Sequence, residues 1–120
     1  MYHLENYLKE VNFEMSLFDV PLHYHFYDAS HSENYDMSHI FDQTLVSMYP
    51  SNAVTFVDNH DTEPSQSLAS FIPDEFKGQA YCLILLRKEG YPCVFYGDLE
   101  GIEYENISSK KSNTSKNHVT

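Results

Sequence analysis

Residues 53–62 of the chain read AVTFVDNHDT, and this stretch decides how the rest of the sequence is interpreted. Residues 53–57 are apolar or β-branched and show no polar alternation, which is typical of a parallel strand with both faces buried. Four polar residues, Asp58–Asp61, follow without a break. Because ligands bind at the carboxyl ends of strands in parallel α/β folds, the stretch predicts a buried strand that delivers polar groups to a binding site.

Upstream of this strand the sequence predicts a helix, a strand and two less regular segments. Four apolar residues with helical spacing predict an amphipathic opening helix, namely Leu4, Tyr7, Leu8 and Val11. Residues 17–22, which read LFDVPL, predict a short strand with an irregular end because of the proline. Residues 23–29 are compatible with a short helix, and residues 35–42 predict another helical stretch.

Downstream, a long helix and a further strand are predicted. The helix runs from Asp74 to Glu89, with acidic residues at its first turn and Gly90 as its stop. Residues 91–96 then predict a further apolar strand. Three repeats of helix followed by strand imply right-handed crossovers and a parallel sheet, so the fold class is α/β. Beyond about Glu105 the sequence is polar and aperiodic, which predicts a disordered tail over residues 105–120.

The charge balance argues against two classes of partner. The 120 residues include 18 Asp and Glu but 7 Lys and Arg, for a formal net charge of −11. Nucleic-acid binding and attachment to anionic membranes both need a cationic surface, so neither is expected. A neutral substrate such as a sugar is compatible with this charge. The sequence has no apolar run of membrane-spanning length and no secretory signal, which predicts a cytoplasmic location.

The polar residues after the central strand allow three interpretations. A carboxylate such as Asp61 could hydrogen-bond sugar hydroxyls or stabilise positive charge, and an imidazole such as His60 could donate to the same ring. Alternatively, the Asp and Asn side chains could cap a turn by accepting from backbone amides. The third interpretation is a metal site that includes the His-rich residues 23–31. The spacing of His23 and His25 does not place them side by side, and it favours a structural role for the histidines.

The two cysteines, Cys82 and Cys93, both lie within apolar segments. They are expected to be small buried hydrophobic residues, because two thiols do not form the dense pattern of a disulfide scaffold. Burial would also raise the pKa of each thiol and argues against a cysteine nucleophile.

Four segments resemble the catalytic domain of α-amylases in glycoside hydrolase family thirteen. The motif FVDNHDT at residues 56–62 resembles the end of the seventh barrel strand of that family. Three further segments are similar to the helix after the fifth strand, the sixth strand of the bacterial liquefying type and the eighth strand, respectively: LENYL at 4–8, FDVPLHY at 18–24 and GYPCVFYGD at 90–98. The resemblance covers about residues 2–102 in the right order.

The resemblance implies a partial TIM (β/α)8 barrel made of about strands six to eight with their helices. Residues 1–104 would be the C-terminal part of the catalytic domain. The implied reaction is retaining hydrolysis of internal α-1,4 bonds in starch or glycogen. Asp61 matches the family's third catalytic acid, which holds sugar hydroxyls and helps to distort the ring. His60 matches the neighbouring histidine that contacts the substrate.

The same resemblance implies that two essential groups are missing. The nucleophile and the acid/base glutamate belong at the ends of the fourth and fifth strands, which would precede Met1. We therefore expect a fragment that is inactive alone. The family's main calcium site is also built upstream, so no complete calcium site and no metal are expected here. The alternative is a non-catalytic carbohydrate-binding or assembly module that complements a separate N-terminal half or associates with itself.

Overall fold

A computed structural model describes residues 1–100, except for the side chain of Glu100. The predicted tail and the domain boundary at residue 104 lie outside these residues. The described part contains helices and strands in the following order: α1 (Tyr2–Glu10), β1 (Leu17–Phe18), α2 (Val20–Ser30), α3 (Leu45–Met48), β2 (Ala53–Phe56), α4 (Asp74–Leu85), β3 (Tyr91–Cys93) and α5 (Tyr96–Glu100). Short 3-10 helices cover Met37–His39 and Pro50–Asn52.

The three strands form one parallel sheet in the order β1-β2-β3, which confirms the predicted α/β class. Leu17 lies opposite Ala53, and Val54 lies opposite Tyr91. Strand β2 is central, as its continuous apolar sequence predicts. A parallel sheet brings the carboxyl ends of all its strands to one edge, so the residues that follow β1, β2 and β3 become neighbours.

The hydrophobic core lies between the sheet and the two long helices that follow β1 and β2. Helix α2 contributes Leu22 and Phe26, and α4 contributes Ala80 and Ile84, all of them buried. Val57 continues the buried run directly after β2. None of the helices in residues 1–100 is long and apolar enough to cross a membrane.

The prediction of a strand over residues 17–22 is wrong beyond Phe18. Asp19 instead caps helix α2, because its side chain accepts a hydrogen bond from the Leu22 amide at 3.2 Å. The same buried carboxylate accepts from the amides of Leu45 and Val46 at 3.1 and 2.7 Å. Pro21 suits the first turn of a helix, where no amide hydrogen is needed. An N-cap followed by proline therefore starts a helix here.

Three other predicted elements are shorter than expected. The helical stretch over residues 35–42 is reduced to the 3-10 helix Met37–His39. Helix α4 ends at Leu85 instead of continuing to residue 89. Strand β3 ends at Cys93, because the chain turns into helix α5 at Tyr96. Each difference lies at the end of an element, where local propensity is weakest and tertiary contacts decide.

The expectation that both cysteines are buried is wrong, since both are exposed. Cys82 lies on α4, whose buried face is formed by Lys77, Ala80 and Ile84. The thiol therefore belongs to the other side of the helix. Cys93 lies on β3, an outer strand of the described sheet, and its side chain is exposed there. An apolar sequence neighbourhood does not bury a residue at the edge of a sheet.

Candidate functional site at the carboxyl ends of the strands

A cavity of about 320 Å³ opens at the carboxyl ends of the three strands. One residue at the end of each strand lines it: Phe18, Phe56 and Cys93. The rest of its wall consists of two segments that follow the strands, residues 58–61 after β2 and residues 94–96 after β3. The polar tetrapeptide that stood out in the sequence therefore forms part of a concave surface.

The turn over residues 59–62 is held by its own side chains. The Asn59 Oδ1 atom accepts hydrogen bonds from the amides of Asp61 at 2.9 Å and Thr62 at 3.2 Å. The Asn59 amide in turn donates to the Thr62 hydroxyl at 3.0 Å. This reciprocal pattern is an Asx turn, in which a short polar side chain replaces a backbone acceptor. The turn fixes the backbone that carries His60 and Asp61.

His60 and Asp61 are the accessible members of this segment, and we call them the exposed pair. Their side chains are 81% and 48% exposed, and the His60 Nε2 atom lies 3.3 Å from the Asp61 Oδ1 atom. Solvent screening makes such a contact weak, so both groups can exchange it for a ligand at little cost. A carboxylate and an imidazole that are free on a concave surface can accept from and donate to hydroxyl groups.

Asp58 precedes the exposed pair but is buried. Its Oδ1 atom accepts from the Thr62 hydroxyl at 2.5 Å, and its Oδ2 atom accepts from the Ile72 amide at 2.8 Å. The Lys77 ammonium lies 3.3 Å from the same Oδ2 atom. Burial raises the pKa of Asp58 to about 6, although these three partners lower it. The capping interpretation thus applies to Asp58 and Asn59, whereas the side chains of His60 and Asp61 are accessible.

Lys77 is fully buried and links Asp58 to a second acid. Its ammonium donates to the Asp98 Oδ1 atom at 2.5 Å and lies 3.5 Å from the centre of the Phe71 ring. The Tyr81 hydroxyl donates to the other Asp98 oxygen at 2.5 Å. Burial, followed by the hydrogen bond to Asp98, raises the pKa of Tyr81. We call Asp58, Lys77, Tyr81 and Asp98 the buried charge cluster.

His23 has a structural role next to this cluster. Its Nδ1 atom lies 2.6 Å from the Val57 carbonyl oxygen, and its Nε2 atom lies 2.8 Å from the Ser70 hydroxyl. The ring stacks on Phe56 with centroids 5.2 Å apart. Burial lowers the pKa of His23, which favours the neutral ring. His25 similarly contacts a backbone carbonyl, that of Ile40, at 2.7 Å.

Comparison with known proteins identifies the family. The chain is 53% identical to the glucan 1,4-alpha-maltohexaosidase of Bacillus sp. (strain 707) over 110 residues, which is 91% of this chain and 21% of the relative. It is 56% identical to the alpha-amylase of Geobacillus stearothermophilus over 110 residues, again 91% of this chain and 20% of the relative. The chain belongs to the α-amylase family. No family model matches it.

A third relative is similar to most of the chain as well. The cytoplasmic alpha-amylase of Escherichia coli (strain K12) is 48% identical over 105 residues, which is 87% of this chain and 21% of that relative. The chain therefore spans about a fifth of the length of the α-amylases it matches and corresponds to a fragment of such a protein. The three-stranded parallel sheet is consistent with a part of the TIM barrel of α-amylases.

The calcium implied by the α-amylase family has no fitting site in the described part of the chain. Within residues 1–100, no group of three or more His, Cys, Asp or Glu side chains is arranged to hold a metal ion. The two acids that meet inside the protein, Asp58 and Asp98, already share the Lys77 ammonium. A cation would have to displace that ammonium, so these carboxylates do not fit a calcium site.

Sequence reasoning missed the buried charge cluster of this α-amylase chain. The buried face of α4 includes two apolar residues, Ala80 and Ile84. Lys77 precedes them by three and seven positions and so lies on the same face. A lysine among apolar helix positions is a signal for a buried ion pair, because a lone buried ammonium is too costly. The partner of Lys77 is Asp98, which lies 21 positions later in the chain.

Proposed function

We propose that the chain forms part of an α-amylase active site that acts on α-1,4-glucans such as starch, glycogen and maltodextrin. In this proposal Asp61 is the acid that holds sugar hydroxyls and favours the distorted ring, and His60 contacts the same sugar. The observation that carries the proposal is the exposed pair beside a cavity at the carboxyl ends of a parallel sheet. The names of the relatives, which include alpha-amylase and glucan 1,4-alpha-maltohexaosidase, support it.

The proposal includes the place of the chain in a larger fold. Strands β1, β2 and β3 would be the sixth, seventh and eighth strands of a (β/α)8 barrel. Residues 1–104 would belong to the catalytic domain, and residues 105–120 would be a polar tail. The parallel order of the sheet and the position of the cavity support this placement, since TIM-barrel active sites lie at the carboxyl ends of the strands.

The chemistry available to the described residues is binding and electrostatic stabilisation. Cleavage of a glycosidic bond develops positive charge on the sugar ring, and a nearby carboxylate such as Asp61 stabilises that charge. The retaining reaction also needs a nucleophilic carboxylate and an acid/base carboxyl about 5 Å apart. We propose that the parent enzyme supplies both from outside this chain and hydrolyses internal bonds with retention.

The second carboxylate in the cavity wall is a poor substitute for either group. Asp58 is 1% exposed, and its two oxygens are occupied by Thr62, Ile72 and Lys77. A nucleophile must reach the anomeric carbon, and Asp58 would have to break these contacts first. Asp61 is thus the one accessible carboxylate of the described cavity wall. From this we infer that the 120-residue chain binds glucan without cleaving it.

The test is an assay of reducing ends released from soluble starch, with and without added calcium. We expect no release above background from the wild-type chain. In parallel, nuclear magnetic resonance titration with maltohexaose should perturb residues around the cavity in the wild type. The double variant His60→Ala/Asp61→Ala should lose most of that perturbation. Release of reducing ends that disappears in the double variant would contradict the proposal of an inactive chain.

A second candidate is an assembly module that completes a separately encoded barrel half or pairs with another copy. The observation that favours it is the open sheet, since neither β1 nor β3 has a second neighbour within residues 1–100. Phe18 and Tyr91 on these outer strands are 48% and 75% exposed. Unpaired strand edges are templates for association. A monodisperse monomer in analytical ultracentrifugation at micromolar concentration would contradict self-association.

We further propose a cytoplasmic location. The name of the relative from Escherichia coli specifies a cytoplasmic alpha-amylase, which supports the proposal. Cell fractionation followed by detection of the chain with a specific antibody would test it. Recovery of the protein from the culture medium instead of the cell lysate would contradict it.

A further inference from the structure

One ion pair and a series of hydrogen bonds connect the buried charge cluster to the backbone of Asp61. The Lys77 ammonium contacts the Asp58 Oδ2 atom, and the Asp58 Oδ1 atom accepts from the Thr62 hydroxyl. The Thr62 hydroxyl accepts from the Asn59 amide. The Asn59 side chain then accepts from the Asp61 amide at 2.9 Å. The Asp58–Thr62 and Asn59–Thr62 contacts join the two sides of the turn that carries the exposed pair.

The burial of three charged side chains in one cluster costs free energy and therefore calls for a physical reason. Lys77 is fully buried, and the side chains of Asp58 and Asp98 are 0% and 2% exposed. Removal of three charges from water is costly, and well-packed apolar residues of similar volume often stabilise a protein as much or more. Directional contacts are what an apolar replacement could not supply. In this chain the contacts of Asp58 are directed at the turn through Thr62 and at the segment before α4 through Ile72.

We propose that Asp58, Lys77 and Thr62 are positioning residues for Asp61. The inference rests on the role proposed above for Asp61 as the sugar-holding acid. Lys77 holds Asp58 in place as its counter-charge, and Asp58 holds the Thr62 hydroxyl. That hydroxyl closes the Asx turn from which His60 and Asp61 face the cavity. None of the three residues needs to touch the sugar.

The Thr62 hydroxyl is the connection that a single substitution can cut. It donates to Asp58 and accepts from Asn59, so it needs both its hydrogen and its lone pairs. Thr62→Val keeps the shape and removes both functions, whereas Thr62→Ser keeps the hydroxyl. Thr55 provides a matched control in the same region. It is also buried, but its hydroxyl has no hydrogen-bond partner among the described residues.

The experiment is residue-resolved hydrogen exchange, measured by mass spectrometry on the full 120-residue chain. In Thr62→Val, the amides of Asp61 and Thr62 should exchange at least about tenfold faster, as expected for the loss of a charge-assisted hydrogen bond. The amides of strand β2 should retain their protection. Thr62→Ser should restore slow exchange, and Thr55→Val should leave the turn unchanged. Unchanged exchange in Thr62→Val, or equal loosening by Thr55→Val, would overturn the proposal.

The variant Lys77→Met is tested by the same hydrogen-exchange measurement, but its result does not decide the proposal. Lys77→Met leaves two buried acids without a counter-charge and can unfold the whole chain, whereas Thr62→Val removes one uncharged group. The variants Thr62→Val and Thr62→Ser, with Thr55→Val as the control, therefore decide whether the proposal is correct. Absence of any protection at Asp61 and Thr62 in the wild-type chain would also overturn it, since no positioned turn would then exist.

A sugar titration separates this proposal from the function on which it rests. Maltohexaose is added to the wild type and to Thr62→Val while amide chemical shifts near His60 are followed. Weaker binding in Thr62→Val, together with its faster exchange, supports positioning. If the wild type shows no sugar response but the exchange results are as expected, the proposed sugar site fails and the positioning of the turn remains. If the wild type binds sugar but exchange at the turn is unaffected by Thr62→Val, the positioning proposal alone fails.

Discussion

Two charged groups of residues lie next to each other in this chain and differ in almost every physical respect. The exposed pair, His60 and Asp61, is open to solvent and held together by one 3.3 Å contact. The buried charge cluster begins at Asp58, two positions earlier, and its charged groups are saturated with partners. Residue type therefore does not separate a carboxylate that is a candidate for ligand binding from a structural one. Accessibility does, because a carboxylate that already has its partners cannot serve a ligand.

The comparison also explains why both groups occur together. A loop that exposes charged side chains to a ligand gains little stability from them and needs support from elsewhere. The buried charge cluster provides that support, because Asp58 accepts hydrogen bonds from the Thr62 hydroxyl and the Ile72 amide. The expected effects of substitution should consequently be large on stability in one group and small in the other.

The largest effect is expected from Lys77→Met. Removal of one member of a buried ion pair costs about 3–5 kcal/mol, because the remaining charge stays buried without compensation. Here two carboxylates, Asp58 and Asp98, lose the same partner. The free energy of unfolding, measured by urea denaturation at pH 7, should fall by at least that amount. Lys9→Met is the matched control, because Lys9 is 61% exposed and its contact with Glu5 spans 3.8 Å.

The control should change the free energy of unfolding by less than about 0.5 kcal/mol, as is usual for exposed ion pairs. The decrease in the free energy of unfolding caused by Lys77→Met should also become smaller at pH 5. At that pH, protonation removes the charge from one of the two carboxylates that have lost their counter-charge. Equal stability of the two variants would mean that Lys77 is solvated in the folded chain, and it would contradict the distinction between the two groups.

A smaller effect is expected from the titration of Asp58. Burial raises the pKa of Asp58 from the ordinary value of 3.8 to about 6 in the folded chain. At pH values between these two, the folded state therefore binds a proton at this group more tightly than the unfolded state does. The contribution of this group to stability is then complete below about pH 4. It falls by up to about 3 kcal/mol as the pH rises through 6.

The measurement compares unfolding of the wild type and Asp58→Asn at intervals from pH 4 to pH 7. His23, whose lowered pKa gives the opposite trend with stability lost as the pH falls, is present in both proteins. The stability of the wild type relative to the variant should decrease as the pH rises. A difference that is constant with pH would indicate that Asp58 titrates normally and is therefore not desolvated.

Substitution of Thr55 and of Thr62 should affect stability in opposite directions, because only the Thr62 hydroxyl has hydrogen-bond partners among the described residues. Thr55→Val removes a buried hydroxyl that has no hydrogen-bond partner within residues 1–100, and it should stabilise the chain by roughly 1 kcal/mol. Thr62→Val removes a hydroxyl that contacts Asp58 and should destabilise by a similar amount or more. Differential scanning calorimetry would show melting temperatures that shift in opposite directions. Shifts of the same sign would contradict the assignment of partners.

The smallest effect is expected for the exposed pair. His60→Ala and Asp61→Ala should each change the free energy of unfolding by less than about 0.5 kcal/mol, because each removes a solvated side chain. Both variants should nevertheless weaken the response to maltohexaose. A loss of stability comparable with that of Lys77→Met would show that the pair has a structural role and would remove the basis of the proposed site.

Much of the architecture could be read from local patterns. The apolar run at residues 53–57 predicted the central strand, and its abrupt polar end predicted the place of the candidate site. Both features depend on solvation along one short segment, so a sequence window contains them. The family was also evident, because four separate motifs resembled α-amylases in the right order, and the relatives confirm it. The roles of His60 and Asp61 remain predictions.

What the sequence by itself determined is thus the order of the three strands and of the long helices between them, and the candidate pair at the end of the central strand. Only the tertiary structure decided which charges are available. Lys77 and Asp98 are 21 positions apart and Asp58 and Ile72 are 14 apart, and no local periodicity connects them. Asp19 likewise became a helix cap because the distant amides of Leu45 and Val46 reached it. The physical reason is that burial depends on all packed neighbours together, and burial decides whether a carboxylate is a structural partner or a free ligand.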